Sequence, residues 1–258
     1  DERPGQPRAA RAFLPFPGIA MKVEVIIPAG GTGRRVGGEV PKQYMPLGGV
    51  HMLVHTLRVF QRMGDRVDRV VLLVPEGDVT FVREVIVGGY GLSKVDLVLV
   101  GGKERQDSVK RGLDALGEAE AEDDVVVVHD AVRPFVTVKQ VSRAVEQCSS
   151  HGAVTLAVPV KDTVKDVGID GLVVDTLRRD GLWLAQTPQA FKKMVLREAY
   201  RRAYEENFYG TDDAVLVERM GIPVKVVLGS YENIKITTQE DLEYADYLIN
   251  KRTAGGER

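Results

Sequence analysis

The chain has 258 residues, enough for one large α/β domain with a substantial core. Its 35 basic and 37 acidic residues leave no global positive field, which argues against nucleic acid as the main partner, and its single cysteine rules out an internal disulfide framework or a cysteine-rich zinc site. No apolar run approaches the roughly 18 residues that a membrane span needs, so a cytoplasmic setting with no membrane partner is expected.

Residues 1–20 contain Arg and Pro without periodicity and lack the apolar core of a secretory signal. They read as an extension ahead of a domain spanning 21–250, with 251–258 as a frayed tail. The first strong signal is Val23-Glu24-Val25-Ile26-Ile27-Pro28, a β-rich run that empties into Ala29-Gly30-Gly31-Thr32-Gly33-Arg34-Arg35, with Lys42 following in Pro41-Lys42-Gln43-Tyr44. Glycines after a strand expose backbone N–H groups with few side chains in the way, and Arg35 and Lys42 add fixed charge; polyphosphates bind to such an arrangement. It is not a Walker A loop, because no Gly-Lys-Ser/Thr occurs in the chain. Nor is it the dinucleotide fingerprint. Val36 stands where close helix–strand packing asks for glycine, and the acidic residue expected about 20 positions on is missing.

Further along, Leu53, Leu57 and Phe60 fall at helical spacing, and Val70–Val74 reads as a strand buried on both faces. Asp78 is placed to cap a helix bearing Val82 and Ile86. The run from Val95 to Val100 is another strand, and Asp107 is placed to cap the helix bearing Val109, Leu113 and Leu116. Val125–Val128 follows as a buried strand, then a helix from about Val138 to Cys148, whose thiol reads as buried. A strand from Ala153 to Val158 completes a βαβα alternation, which predicts a mostly parallel sheet covered by helices with ligand sites at the carboxyl ends of the strands. Three chemically loaded segments lie just after strands: Ala29–Lys42, Gly101–Ser108 and His129–Pro134. They predict one composite site.

The alternation then breaks. Thr163–Val167, a turn at Gly168–Gly171, and Leu172–Leu177 read as a β-hairpin within an arm of about 160–182. Isolated hairpins are marginal in water, so this one is expected to pack on a second subunit. Trp183 reads as a packing anchor. Helices are expected near Lys192–Glu206 and Asp212–Arg219, and a strand at Val224–Leu228. Lys235, between Ile234 and Ile236, reads as a strand residue facing away from both. The last helix is expected to start with a capping box at Thr237–Glu240 and to run to about Ile249.

In order along residues 22–250, Pro-Ala-Gly-Gly-x-Gly-x-Arg, Pro-Lys-Gln-Tyr, Gly-Gly-x-x-Arg-x-x-Ser-Val, His-Asp-Ala-x-Arg-Pro, Thr-Pro-Gln-x-Phe, Thr-Asp-Asp and Asn-Ile-Lys-Ile-Thr resemble the 2-C-methyl-D-erythritol 4-phosphate cytidylyltransferases. The resemblance implies a single Rossmann-like nucleotidyltransferase domain with a protruding hairpin arm that locks a homodimer. It also implies CMP transfer from CTP to methylerythritol phosphate in the non-mevalonate isoprenoid pathway, with Mg²⁺. Arg35 and Lys42 match the pair that stabilises the transition state, and Ala29, Gly30, Gly31, Gly33, Gly102 and Ser108 match nucleotide contacts. Asp130, Arg133, Thr211 and Lys235 match residues around the sugar phosphate. Arg179 matches the arm arginine that orients it, with Thr163 and Thr187 beside it from the partner subunit; the resemblance, not the chemistry, selects Arg179 over Arg178. Asp130 is the candidate metal ligand. Gly30, Val36 and Lys103 depart from common family usage. A ribitol 5-phosphate cytidylyltransferase is the nearest alternative. A uridylyl- or guanylyltransferase and a catalytically silent nucleotide-binding module are more distant ones.

Overall fold

Runs of valine, isoleucine and leucine too continuous for half-exposed strands form the centre of the structure, a computed structural model that describes residues 21–31 and 41–254. The elements begin with β1 (Val23–Pro28), the short β2 (Pro46–Leu47) and β3 (Val50–His51), α1 (Met52–Gln61) and β4 (Arg69–Val74). Next come α2 (Val79–Phe81), which widens into a π turn over Val82–Gly88, then β5 (Val95–Val100), α3 (Arg105–Leu116), β6 (Val125–Val128), α4 (Val138–His151) and β7 (Ala153–Pro159). The chain continues with β8 (Val164–Val167), β9 (Val173–Leu177), β10 (Trp183–Lys192), α5 (Lys193–Glu205), α6 (Ala214–Glu218), β11 (Lys225–Leu228) and α7 (Gln239–Ala254).

Among the described residues the main sheet has seven strands in the order β11-β7-β10-β6-β1-β4-β5. Every neighbouring pair is parallel except those made by β10, which runs antiparallel between β6 and β7. Successive β1 side chains enter opposite layers, as the period of a strand requires. Val25 and Ile27 pack with Leu57 and Phe60 of α1 and with Val141 and Cys148 of α4. Ile26 packs with Val109 and Leu113 of α3 and with Leu196 and Tyr200 of α5. Gly112 lets α3 approach β1 closely, since a Cβ there would stand 2.7 Å from Ile26 Cγ2. A third cluster joins Leu242, Ala245 and Leu248 of α7 to Val132, Phe135 and Ile236. It fixes the segment after β6 beside the segment that carries Lys235. Burying Ile236 completely contributes about 1.5–3 kcal/mol to that fastening.

The hairpin β8–β9 forms its own two-stranded sheet, and its Val173, Val174 and Leu172 are exposed. Several local expectations change. The strand β10 has no counterpart in the sequence reading, and Trp183 at its start is 42% exposed rather than anchored in the core. Glu104, not Asp107, is the N-cap of α3; Asp107 is its capping-box partner and returns a carboxylate to the Glu104 N–H at 3.0 Å. Asp78 precedes α2 without a side-chain cap bond. In α7 the reciprocal pair is Thr238 and Asp241: the Thr238 hydroxyl accepts from Asp241 N–H at 3.3 Å, and Asp241 accepts from Thr237 and Thr238 N–H at 2.7 and 2.9 Å. α7 also runs to Ala254, past Ile249. Lys251 and Arg252 suit the negative end of the helix dipole and pair with Glu232. Residues 234–237 belong to no strand, and Ile236 N–H bonds to Val132 O instead of a ladder partner.

Candidate active site

The loops after β1, β5 and β6 converge on a cavity of about 400 Å³. Ala29, Gly30 and Gly31 form one wall, Gly102 and Ser108 another, and Lys42, Lys103, Arg105, Asp130 and Lys235 bring charge to it. Gly33 and Arg35 lie outside the described residues. Lys42 is held at the rim by its own turn. A 3₁₀ turn spans Lys42–Tyr44, and the buried Gln43 donates from Nε2 to Ala29 O at 2.8 Å. That bond ties the Pro-Lys-Gln-Tyr motif to the start of the glycine loop. Gly102 has no room for a side chain: a Cβ would stand 2.1 Å from Asp107 Cβ in the first turn of α3. Ser108 Oγ accepts from Gly102 N–H at 3.0 Å and donates to Glu104 O at 3.2 Å, so it shapes this wall from within.

Asp130 is the electrostatic centre. Its Oδ1 meets Arg105 Nε at 3.1 Å; its Oδ2 meets Lys235 Nζ at 3.1 Å and Arg133 Nε at 3.3 Å. Burial alone would push this carboxyl up, but the charges of Arg105, Lys235 and Arg133 hold it well below the usual carboxylate range. Arg105 reaches on to Asp213 Oδ2 at 2.8 Å, and Asp213 Oδ1 accepts from the Tyr200 hydroxyl at 2.5 Å. Burial opposes the charge on Arg105, but Asp213 and Asp130 raise its pKa well above the ordinary value. Arg133 donates from Nη1 to Asn233 O at 2.8 Å, fixing the segment that carries Lys235.

A second hollow of about 230 Å³ shares Arg105, Asp130 and Lys235 with the first and adds Arg133, Thr187 and Thr211. Thr187 belongs to β10 of the same chain rather than to a partner's arm. Its buried Oγ1 accepts from Asp130 N–H at 3.0 Å and lies 2.9 Å from His129 Nδ1. His129 Nε2 lies 3.2 Å from Arg133 O, a pure acceptor, so Nε2 carries the proton and Nδ1 accepts from the Thr187 hydroxyl. Burial, then the charges of Arg133 and Arg105, push His129 down to about 4 despite Asp130. A neutral His129, buried with both ring nitrogens engaged, therefore holds Thr187, which in turn accepts from the Asp130 N–H.

Thr163 and Arg179 stand apart from both hollows. Both are exposed on the arm, where Arg179 Nη1 donates to Lys161 O at 2.8 Å. Three residues that matter to the geometry carried no assigned role in the sequence reading: Arg105, Asp213 and Gln43. Each lay within a recognised motif, so the motif was visible. The roles were not, because Arg105 finds its partners 25 and 108 residues downstream.

A family model described as 2-C-methyl-D-erythritol 4-phosphate cytidylyltransferase matches residues 23–251. The chain is 50% identical over 230 residues to the protein of that name from Syntrophus aciditrophicus, covering 89% of this chain and 97% of that one. It is 47% identical over 232 residues to the one from Geobacter metallireducens, covering 90% and 99%. Among solved structures, the Francisella tularensis 2-C-methyl-D-erythritol 4-phosphate cytidylyltransferase superposes with a TM-score of 0.72 at 36% identity, over 88% of this chain and 99% of that one. The 4-diphosphocytidyl-2C-methyl-D-erythritol synthase of Anaerococcus prevotii gives 0.76 at 32% identity, over 89% and 99%.

Proposed function

The chain belongs to the family of 2-C-methyl-D-erythritol 4-phosphate cytidylyltransferases, and from that premise we infer how its residues divide the work. The enzyme transfers CMP from CTP to 2-C-methyl-D-erythritol 4-phosphate, giving 4-diphosphocytidyl-2-C-methyl-D-erythritol and pyrophosphate. A phosphate oxygen of the acceptor forms a bond to the α-phosphorus of CTP as the bond from that phosphorus to the β-bridging oxygen breaks. The acceptor phosphate is already ionised at neutral pH, so no general base is needed. The obstacle is repulsion between two anions, and cations placed where charge develops lower it.

In this reading Ala29, Gly30, Gly31, Gly102 and Ser108 surround the nucleotide and Lys42 faces the triphosphate; Arg35 and Gly33, outside the described residues, keep the roles that the resemblance implies. Asp130, Arg133, Thr211 and Lys235 form the acceptor side, with Thr187 acting through the Asp130 backbone. The observation that carries this division is the convergence of the glycine walls, Lys42 and the Asp130–Lys235 pair on one cavity. Arg179 and Thr163 would complete the acceptor side from the arm of a second copy, and the exposed Leu172, Val173, Val174 and Trp183 give that arm apolar surface to bury. The domain is taken as residues 21–250 with the arm at about 160–182, in the cytoplasm; no helix among the described residues is long and apolar enough to cross a membrane.

A divalent cation such as Mg²⁺ fits the donor set. Among the described residues no cluster of three or more His, Cys, Asp or Glu could hold a metal alone. Mg²⁺ is commonly bound by one or two carboxylates together with substrate phosphates, and Asp130 is the carboxylate that would hold it here. Bound, it would neutralise triphosphate charge. The deciding experiment measures pyrophosphate release from CTP and Mg²⁺ with methylerythritol phosphate against ribitol 5-phosphate. Turnover with methylerythritol phosphate at least a hundredfold faster is expected; equal or reversed preference rejects the assignment.

A further inference from the structure

A second basic cavity, about 430 Å³, opens between α1, the stretch after Arg133 and α7. Its size falls within the roughly 300–1,000 Å³ typical of ligand sites. Three of its side chains, His55 and Arg58 of α1 and Arg62 at its C-cap, follow at a spacing that puts them on one helix face, and Arg252 enters from α7. No carboxylate lines it.

Arg252 pairs with Glu232, but Arg58 and Arg62 lack, among the described residues, the carboxylate partners that some other helical arginines have. On α5, Arg201 and Arg202 both pair with Glu198 one turn away, and Arg219 pairs with Glu206. Arg58 and Arg62 are themselves one turn apart, where like charges cost an isolated helix about 0.2–0.5 kcal/mol. Neither makes an ion pair with a described residue. Arg58 stacks on the Tyr90 ring at 5.5 Å, a contact that leaves its charge in place. Burial, then the charges of Arg58 and Arg62, lower the pKa of His55, whose Nε2 is held 2.8 Å from Leu47 O. The two unpaired guanidinium forks of Arg58 and Arg62, with Arg252 beside them held by Glu232 and Phe135 O, match the several oxygens of a phosphate or diphosphate.

We propose that the cavity between α1 and α7 binds a phosphate-bearing anion, held by Arg58, Arg62 and Arg252 against the apolar wall of Val59 and Phe135 and separate from the site that transfers CMP. The ligand then supplies the counter-charge that Arg58 and Arg62 lack. This does not depend on how the transfer reaction divides its residues.

His55 is the reporter. Its imidazole NMR signals are followed while inorganic pyrophosphate is titrated into the wild-type protein. A saturable shift at millimolar pyrophosphate is expected, together with a rise in the His55 pKa as negative charge enters. Saturating CTP should leave that response in place. The Arg58→Gln/Arg62→Gln protein should lose it while CMP transfer stays within twofold of wild type. If that pair fails to fold, Arg62→Glu at an exposed position serves in its place and should abolish the response. An unmoved His55, a response that CTP removes, or one that survives the arginine substitutions overturns the proposal.

Discussion

Two buried carboxylates on neighbouring strands sit under cations, and they lead to opposite uses. Glu24, near the start of β1, binds Arg69 at 2.6 Å and Lys193 at 2.6 Å, and the Lys193 side chain is 3% exposed. Asp130, just past the end of β6, binds Arg105, Arg133 and Lys235, and the Lys235 side chain is 42% exposed. Both desolvate a carboxylate and repay it with charge. At the amino end of the sheet Lys193 is sealed, Arg69 is a third exposed, and the group serves the fold. At the carboxyl end one cation stays half in water beside two hollows, so an arriving phosphate can compete for it. The difference lies in the two hollows that Asp130 and Lys235 line, not in the carboxylate.

The largest effect should come from breaking the sealed pair. Lys193→Ala leaves Glu24 short of a buried counter-charge, and urea denaturation should show a loss of about 3–5 kcal/mol. The folded fraction should keep normal CTP turnover. Lys42→Ala should do the reverse, lowering kcat at least a hundredfold, equivalent to about 2.7–4 kcal/mol of barrier, with an unchanged melting temperature. Near-normal turnover would remove Lys42 from the reaction. Arg105→Gln deletes charged hydrogen bonds worth about 1.5–3 kcal/mol each when buried. It should affect both functions at once, lowering kcat/KM for the methylerythritol phosphate more than tenfold and also lowering stability.

The pH dependence of stability is a smaller effect. His129 has its folded pKa pushed down to about 4, below the unfolded value of about 6.5. Between those values the unfolded chain binds the extra proton, so this stabilisation is complete above about pH 6.5 and is lost as pH falls toward 4. The loss amounts to at most about 1.4 kcal/mol per pH unit. His129→Gln should flatten that part of the stability profile in denaturant titrations at successive pH values. Smallest of all, Arg179→Ala should leave stability unchanged, since the side chain is exposed. It should raise KM for the methylerythritol phosphate without changing that for CTP; a change confined to CTP would misplace the arm.

The parallel strands were legible because β1, β4 and β6 are buried on both faces, which leaves continuous apolar runs in the sequence. β10 was not. Its Gln186, Thr187, Pro188 and Gln189 look like a loop, and the pairing with β7 does shift register between Gln186 and Gln189. Its polar side chains are satisfied by distant groups: Gln186 donates to Ser230 O, and Gln189 accepts from Asp213 and Ala214 N–H. The Ile-Lys-Ile alternation misled in the other direction, imitating a strand where Ile236 is instead buried against α7 outside any sheet. At the site, the glycines, Lys42 and Asp130 were readable from local chemistry and motif. The Arg105–Asp213 link was not, because nothing near Arg105 in sequence reveals a partner 108 residues away.

The insertion of β10 between β6 and β7 has a consequence for synthesis on the ribosome. By the time residue 160 has emerged, β5, β4, β1 and β6 can already zip together, but β6 offers a bare edge and β7 has neither neighbour, since both β10 and β11 are still unmade. Such an edge is a template for pairing with another nascent chain. Only when residues up to about 192 are free can β10 bridge β6 and β7, and only then does Thr187 reach the Asp130 backbone. A half-translated product would thus be sticky before it could turn over substrate.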